Sequence, residues 1–336
     1  MTGRYPEPSY EHLLRLSDDT GLLEHADHTT PRREGGYCVD DVARGLVVIC
    51  RDPEPTSVLL RLAERYLEFL IRAQSSDGTF HNRLGIDRRW LDDTGTGDWW
   101  GRALWGLGTA AARSPRHSIR ERALSCFQLG ARCRSPWPRS MAYAALGAAE
   151  IMSVQPDHAG ARWLLNDAAT TAGQAGEDPD WPWPEPRLTY ANALLADAMI
   201  AAGQHLARPP VLGDGLHLLG WLLAEQTHHG HLSCTPAAGR QAGDRPPAFD
   251  QQPIEAATIA DACVRAFDVT GDQRWQAGLT SAVDWFMGDN DTGVSLRDPT
   301  TGGGFDGLNA DGRNANQGAE STLALLSTLQ HASRLI

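Results

Sequence analysis

Apolar positions along this chain recur mostly at three- and four-residue intervals within Ala- and Leu-rich stretches, and few β-branched runs alternate. Helices are therefore the predicted elements almost throughout. Six segments share one pattern: a loop bearing Gly, Pro or Trp, then polar residues, then a helix rich in small residues. They are GYCVDDVARGLVVI, GTGDWWGRALWGLGTAA, WPRSMAYAALGAAEI, WPEPRLTYANALLADAM, FDQQPIEAATIADACVRAF and NANQGAESTLALLSTL. Their starts lie about 40 to 65 residues apart, a spacing typical of two-helix repeats. Between them run five conventional amphipathic helices: SVLLRLAERYLEFLIRA, SIRERALSCFQLGARC, HAGARWLLNDAATTA, VLGDGLHLLGWLLAEQ and DQRWQAGLTSAVDWFM. PSYEHLLRL, near the N-terminus, is a candidate sixth partner that would close a ring. Small residues let helices approach closely in an inner layer, while a one-sided apolar stripe suits an outer layer facing water. The pattern predicts an all-α fold, a single (α/α)6 toroid or barrel of six helical hairpins over residues 1–336.

Composition narrows the chemistry. The chain is 41% hydrophobic and 21% charged, as expected of a packed core, and its formal net charge of −12 argues against nucleic acid or an anionic membrane as partner. Every basic residue is Arg. The absence of Lys removes Schiff-base chemistry and the phosphate-gripping Lys of a P-loop. MTGRYPEPSYEHLL has no apolar leader region, and no run of 18 apolar residues follows. Cys38, Cys50, Cys126, Cys133, Cys234 and Cys263 form no CxxC pair and read as small buried hydrophobes of a reducing compartment. A cytoplasmic protein is expected.

Asp40 and Asp41 stand at the start of the first small-residue helix, where orphan N–H groups and the macrodipole favour carboxylates. A cap is the plain reading of such a pair. In a toroid, however, the inner helices all begin near one end of the central funnel. There Asp40, Asp41, Asp98, Gln251, Gln252, Glu255, Gln317 and Glu320 would converge with the loop aromatics Tyr37, Trp90, Trp99, Trp100, Trp137, Trp181, Trp183 and Phe305. Gln252/Glu255 and Gln317/Glu320 are each spaced i, i+3, so each pair is a possible capping pair or a pair of funnel ligands. Carboxylates, amides and flat aromatic faces around one pocket suit a carbohydrate, whose C–H faces stack on indoles and whose hydroxyls pair with Asp, Asn, Gln and Arg. Two carboxylates flanking a glycosidic bond are the minimum machinery for its hydrolysis.

Residues 77–108, DGTFHNRLGIDRRWLDDTGTGDWWGRALWGLG, together with GYCVDDVAR and NQGAESTLALL, resemble six-hairpin glycosidase-like domains. The resemblance spans almost the whole chain. Such domains occur alone or fused to retaining bacterial glycosyltransferases, so a glycosyltransferase is a possible functional partner. A more distant likeness to unsaturated glucuronyl hydrolases lies in the DGxFH segment and the Gly/Thr-rich turn after it. The resemblance implies an (α/α)6 barrel acting on an oligosaccharide or glycoside, in a superfamily that includes hydrolases, epimerases, phosphorylases and lyases.

The expected activity is glycoside hydrolysis, inverting, with carboxylate acid–base catalysis and neither cofactor nor metal. Asp41, Asp98, Glu320 and Asp40 are the candidate catalytic residues. Glu320, preceded by Gly318-Ala319, is expected to sit dry and act as the general acid, with Asp41 or Asp98 as base. Asp40 is expected to pair with Arg44 at i, i+4. The candidate substrate-binding residues are Tyr37, Arg44, His81, Asn82, Trp90, Asp93, Trp99 and Arg102 in the first third of the chain. Trp181, Trp183, Tyr190, Gln252, Glu255, Asp306 and Gln317 complete the set. Pro182 and Pro184 stiffen the Trp181–Trp183 loop, which is expected to form an aromatic platform for sugar.

Other motifs carry less. Gly95-Thr-Gly97 and Gly302–Gly304 follow no predicted strand, so no dinucleotide fold is expected, and no GxSxG occurs. THHGHL (His228, His229, His231) lacks an HExxH helix or a nearby carboxylate and reads as a solvated loop. DNDTG (289–293) lacks the distal Glu of a calcium loop and reads as a polar turn. YLEFLIRAQSSDGTF and WLLAEQTHHGHL share a Gln followed by Gly-x-aromatic/Leu and resemble the repeat of terpene-cyclase α/α barrels. DDVAR, however, supplies neither DxDD nor DDxxD. In either fold Gln74 and Gln226 are expected to end outer helices and tie them to the next loop. A non-catalytic carbohydrate-binding or accessory domain is the remaining alternative.

Overall fold

The computed structural model describes residues 4–335. Six helices line the interior: α2 (Val39–Arg51), α4 (Asp98–Arg113), α6 (Pro138–Val154), α8 (Ala193–His205), α10 (Pro253–Thr270) and α12 (Ala319–Ala332). Each packs on the next, and α12 returns to α2, which closes the ring. The outer layer is α1 (Glu11–Leu16), α3 (Ser57–Ala73), α5 (His117–Gly130), α7 (Ala159–Thr171), α9 (Pro209–Glu225) and α11 (Gln273–Met287). The twelve helices form an (α/α)6 barrel, as the two kinds of helix imply, with α1 packed against α12 as the sixth outer piece.

The division of labour follows from burial. α8 is buried at every position from Ala193 to Gly203, whereas α3 buries only a stripe that includes Leu59, Leu62, Ala63, Tyr66, Leu67 and Leu70. Small residues in the inner layer set the helix spacing. A methyl on Gly147 of α6 would collide with the Leu104 carbonyl of α4, and one on Gly108 would collide with the Gly147 carbonyl. Gly147→Ala should therefore force α4 and α6 apart and destabilise the fold by about 1–3 kcal/mol, the usual effect of overpacking. An unchanged melting temperature in that variant would contradict this close approach.

The two ends of the barrel differ. Connections from an inner to the following outer helix are short, as at 52–56 and 271–272, while those from an outer to an inner helix are long, as at 74–97, 226–252 and 288–318. All strands lie in segments that lead into inner helices. The largest sheet pairs β1 (Leu23–Asp27), β2 (Thr30–Cys38) and β3 (Arg83–Leu84), antiparallel throughout. β4 (Arg187–Leu188) pairs with β7 (Arg240–Gln241), β5 (Thr227–His228) with β6 (His231–Leu232), and β8 (Gly307–Asn309) with β9 (Gly312–Asn314). Periodicity did not foretell these strands, because β2 is a polar ribbon with only its last three residues buried. Gln74 and Gln226 do end α3 and α9. The Gln74 amide donates to the Cys126 carbonyl at 2.9 Å, and that of Gln226 to Thr235 Oγ1 at 2.7 Å. All six cysteines are free. Among the described residues no helix is long and apolar enough to cross a membrane.

Candidate active site

The long connections gather at the end where the inner helices begin, so the first-turn residues of those helices face one funnel. Asp40 and Asp41 lie in the first turn of α2, Asp98 in that of α4 and Glu320 in that of α12. Orphan backbone N–H groups and the helix dipoles favour negative charge at each position. Asp40, Asp41 and Glu320 line a cleft of about 440 Å³ together with Arg44 and Arg102. Asp40, Arg102, Gln252 and Glu320 also border a wider groove of about 1230 Å³, which carries Asp98, Trp99, Trp137 and Tyr190 in its wall.

Two buried arginines organise the carboxylates. Arg44 donates through Nη1 to Asp41 Oδ1 and through Nη2 to Glu320 Oε2, both at 2.6 Å. Arg102 donates to Asp40 Oδ1 at 2.6 Å and approaches Asp98 Oδ2 at 3.9 Å, while its guanidinium lies over the Tyr143 ring. The i, i+4 pairing of Asp40 with Arg44 is thus not made. Asp40 turns toward Arg102 of α4, which satisfies it together with the Asn82 amide (3.2 Å) of the connection before α4, and Arg44 takes the i, i+3 carboxylate Asp41 instead. Neighbouring helices stand so close that the partner across the interface wins over the one along the helix.

Electrostatics separates the members. Burial pushes the Asp41 carboxyl up to about 6, with the Glu320 charge adding to the rise and Arg44 opposing it. Asp40 is only partly buried, its side chain 17% exposed, and Arg102 and Arg44 outweigh desolvation and hold it below the usual carboxylate range. Burial and the nearby aspartates push the Cys38 thiol well up, so it stays protonated and donates to Asp41 Oδ2 at 3.1 Å. Glu320 does not sit dry. Its side chain is 41% exposed and ion-paired, against 4% for Asp41.

Of the sequence-derived binding residues, Arg44, Asn82, Asp93, Trp99, Arg102, Tyr190, Gln252 and Asp306 lie in the walls of the cleft or groove. Tyr190 Oη donates to Asp98 across the groove. Asp306 accepts from Gly318 N (2.7 Å) and Ser321 Oγ (2.8 Å), so it also anchors the start of α12. The others face elsewhere. Tyr37 is buried and donates to Asp18 at 2.6 Å. His81 stacks on Trp90, with ring centroids 5.0 Å apart, and Trp90 in turn meets the edge of Phe69.

Trp181 and Trp183 form no rim platform, because both pack on Trp221 of α9 at centroid separations of 5.2 and 5.9 Å. The stiff Pro-bearing loop is used to clamp an outer helix. Glu255 is turned inward to accept from Ala191 N and from Asn192 Nδ2 (2.9 Å), and burial raises its carboxyl to about 7. Gln317 bonds to Thr301 Oγ1 (2.7 Å) and Asp298 (2.8 Å). Neither the Gln252/Glu255 nor the Gln317/Glu320 pair caps its helix through a side chain.

Several wall residues carried no motif. Arg139, at the start of α6, forms a bidentate pair with Glu185 at 2.7 and 2.9 Å and borders the groove. Trp137 just before it, one of the loop aromatics expected at the funnel, is 63% exposed, the large aromatic most available to a ligand there. Glu24 and Arg83, ion-paired, complete the cleft opposite. Below the cleft a small apolar cavity of about 30 Å³ lies along the barrel axis and reaches Asp197 and Asp261. Asp261 accepts from Arg51 (2.7 Å) and His331 (2.6 Å), and Arg265 pairs with Asp197. Asp197, the one acidic residue of α8, was a sign of this network in the sequence. THHGHL does have a carboxylate beside it: Asp291 of DNDTG lies 3.0 Å from His231 Nε2, supplied by a loop 60 residues away.

No family description matches this sequence, and no characterised protein matches it at the sequence level. Its backbone is similar to that of a sugar epimerase from a ruminal bacterium, with a TM-score of 0.70 at 11% identity over 97% of this chain and 95% of that one. It is also similar to a GH76 α-mannanase of Bacteroides thetaiotaomicron (TM-score 0.64, 12% identity, 95% and 91% covered). A cellulase of C. cellulolyticium in complex with cellobiose superposes comparably (TM-score 0.64, 10% identity, 94% and 88% covered). At such identities the likeness speaks for architecture. The chain has the six-hairpin (α/α)6-barrel fold shared by these glycosidase-like proteins.

Proposed function

We propose that this protein is a glycan-processing enzyme, and specifically a glycoside hydrolase that works by carboxylate acid–base catalysis. The observation that carries the reading is Arg44 holding two unlike carboxylates, buried Asp41 and half-exposed Glu320, at the floor of a cleft open to a long groove. The groove suits an oligosaccharide, with Trp99, Trp137 and Tyr190 for sugar faces and Arg139 and Asp98 for hydroxyls. That neighbours of the same fold are named as carbohydrate enzymes supports the substrate class.

The roles follow from environment and reverse the sequence-based order. Asp41, with its carboxyl raised to about 6, holds its proton close to neutrality and is the general acid. It delivers that proton to the glycosidic oxygen as the C–O bond breaks. Glu320, solvent-facing and paired with Arg44, takes a proton from a water whose oxygen bonds to the anomeric carbon. The proposed course is single displacement, for which two carboxyl groups stand roughly 6.5 to 9.5 Å apart with room for a water, rather than the roughly 5 to 5.5 Å of a covalent mechanism.

A second reading, sugar epimerisation, is favoured by the epimerase likeness and by the near-neutral Asp41 carboxyl, which suits proton transfer at carbon. Proton NMR of a panel of oligosaccharides and free sugars with the enzyme separates the two. New reducing ends of inverted anomeric configuration are expected. Retained configuration would overturn the single displacement, and a changed stereocentre without bond cleavage would overturn hydrolysis. No change to any sugar would leave a binding domain as the reading.

A further inference from the structure

The loops THHGHL and DNDTG, separate in sequence, meet beside the segment that leads into α10. His228 on β5 is directly opposite His231 on β6. The residues between them, His229 and Gly230, have φ of +49° and +89°, both left-handed as a tight two-residue hairpin requires. Directly opposed residues project from one face of a two-stranded ribbon with Cβ atoms about 4.5 to 5.5 Å apart. The two imidazoles therefore form a claw.

Asp291 closes it. Its Oδ1 lies 3.0 Å from His231 Nε2 and 3.6 Å from His228 Nδ1, and the three ligand atoms all lie within 4.8 Å of one another. Ligand atoms about 2.0 Å from a tetrahedral zinc ion sit about 3.3 Å apart. The two Asp291 separations bracket that spacing.

We propose that His228, His231 and Asp291 bind a divalent transition metal, zinc foremost, that pins the β5–β6 hairpin to the loop after α11. Three further features point the same way. His228 Nδ1 is buried without a hydrogen-bond partner, an unusual state for a polar atom that coordination would satisfy. The Asp291 side chain is only 2% exposed, and its second oxygen accepts from Gln251 Nε2 at 2.6 Å, the outer hydrogen bond that typically orients a metal-ligating carboxylate. Asn290 holds the loop in place by donating to the Trp285 and Val294 carbonyls at 2.8 and 2.9 Å. Two imidazoles and one carboxylate select zinc over magnesium or calcium, which prefer oxygen alone.

The site is structural and stands apart from the reaction carboxylates. Its connection to the funnel runs through Gln251 to the adjacent Gln252, which lines the cleft. The inference is independent of which reaction the funnel performs.

Native protein treated with a chelator and dialysed free of it is titrated with Zn²⁺ by calorimetry and followed by thermal melting, with Mg²⁺ in parallel. One zinc per chain and a raised melting temperature with zinc but not magnesium are expected. Exposed His229 is the control: His229→Gln should bind as the native protein does, and His231→Gln at least roughly tenfold more weakly, having lost one of three ligands. Absence of a zinc-dependent melting shift, or undiminished affinity in His231→Gln, overturns the proposal. Co²⁺ loading of the native protein gives a test that needs no variant. A tetrahedral spectrum of nitrogen and oxygen ligation is expected, and a thiolate charge-transfer band would instead place the metal at the Glu24–Cys38–Asp41 cluster and overturn it.

Discussion

Asp41→Asn should lower turnover by about 10²- to 10⁴-fold, the range contributed by a positioned general acid, while the fold persists. An amide of the same shape keeps an acceptor for Arg44 but has no acidic proton to give. The native pH profile should carry the same signature. With the Asp41 carboxyl raised to about 6, kcat/KM should fall as pH rises through that value, and the fall should be absent from the residual activity of the variant.

Stability supplies an independent sign. A carboxyl whose folded pKa is raised binds its proton more tightly in the folded state. Its contribution is fully present below the ordinary value near 4 and is lost as pH rises through about 6. The loss for the roughly two-unit rise is on the order of 3 kcal/mol. Asp41→Asn lacks this loss, so its melting temperature relative to the native protein should improve between about pH 4 and pH 7. Asp40→Asn, which disturbs a carboxylate already committed to Arg102 and Asn82, should slow turnover less and leave the pH profile in place. If Asp40→Asn is instead the variant that erases the alkaline limb, the acid is Asp40.

Asp261→Ala should destabilise the protein by about 3–5 kcal/mol, the effect of removing one partner from a buried ion pair. The variant strands Arg51, which is 10% exposed and rests against Trp105, together with His331. Here the pH dependence has the opposite sign. Burial alone would raise the Asp261 carboxyl, but Arg51 and His331 overcome it and depress it far below its ordinary value. Its stabilisation is present above about pH 4 and is lost as pH falls through the depressed value. The gap in melting temperature between native and variant should thus be widest near neutrality and narrow in acid. A constant gap would mean that Asp261 contributes packing rather than charge. Because the network closes the barrel at the end remote from the cleft, the variant should retain turnover at temperatures where it is folded.

The expected sixfold alternation of small-residue and amphipathic helices is present in the structure, because helix period and side-chain size are local properties. A run such as ANALLADAM has no polar face to show to water and must be buried, while SVLLRLAERYLEF has one and must lie outside. The placement of Asp40, Asp41, Asp98 and Glu320 around one funnel follows from the same regularity, since each stands in the first turn of an inner helix. Direction and partnership do not. Whether Asp40 meets Arg44 or Arg102 depends on how closely α2 and α4 approach, and whether Trp183 meets sugar or Trp221 depends on how a loop folds back over α9. Glu320 could not be known as wet, nor Asp41 as dry, until Arg44 had been placed between them. His228, His231 and Asp291 show the same limit at its widest. Their residue types are plain in the chain, but a carboxylate reaches the two imidazoles only because a hairpin and a loop sixty residues further on are folded against one another. Local sequence determined which segments are helices and which layer each occupies. Tertiary packing alone decided which charges are paired and desolvated, because those depend on distances between atoms remote along the chain.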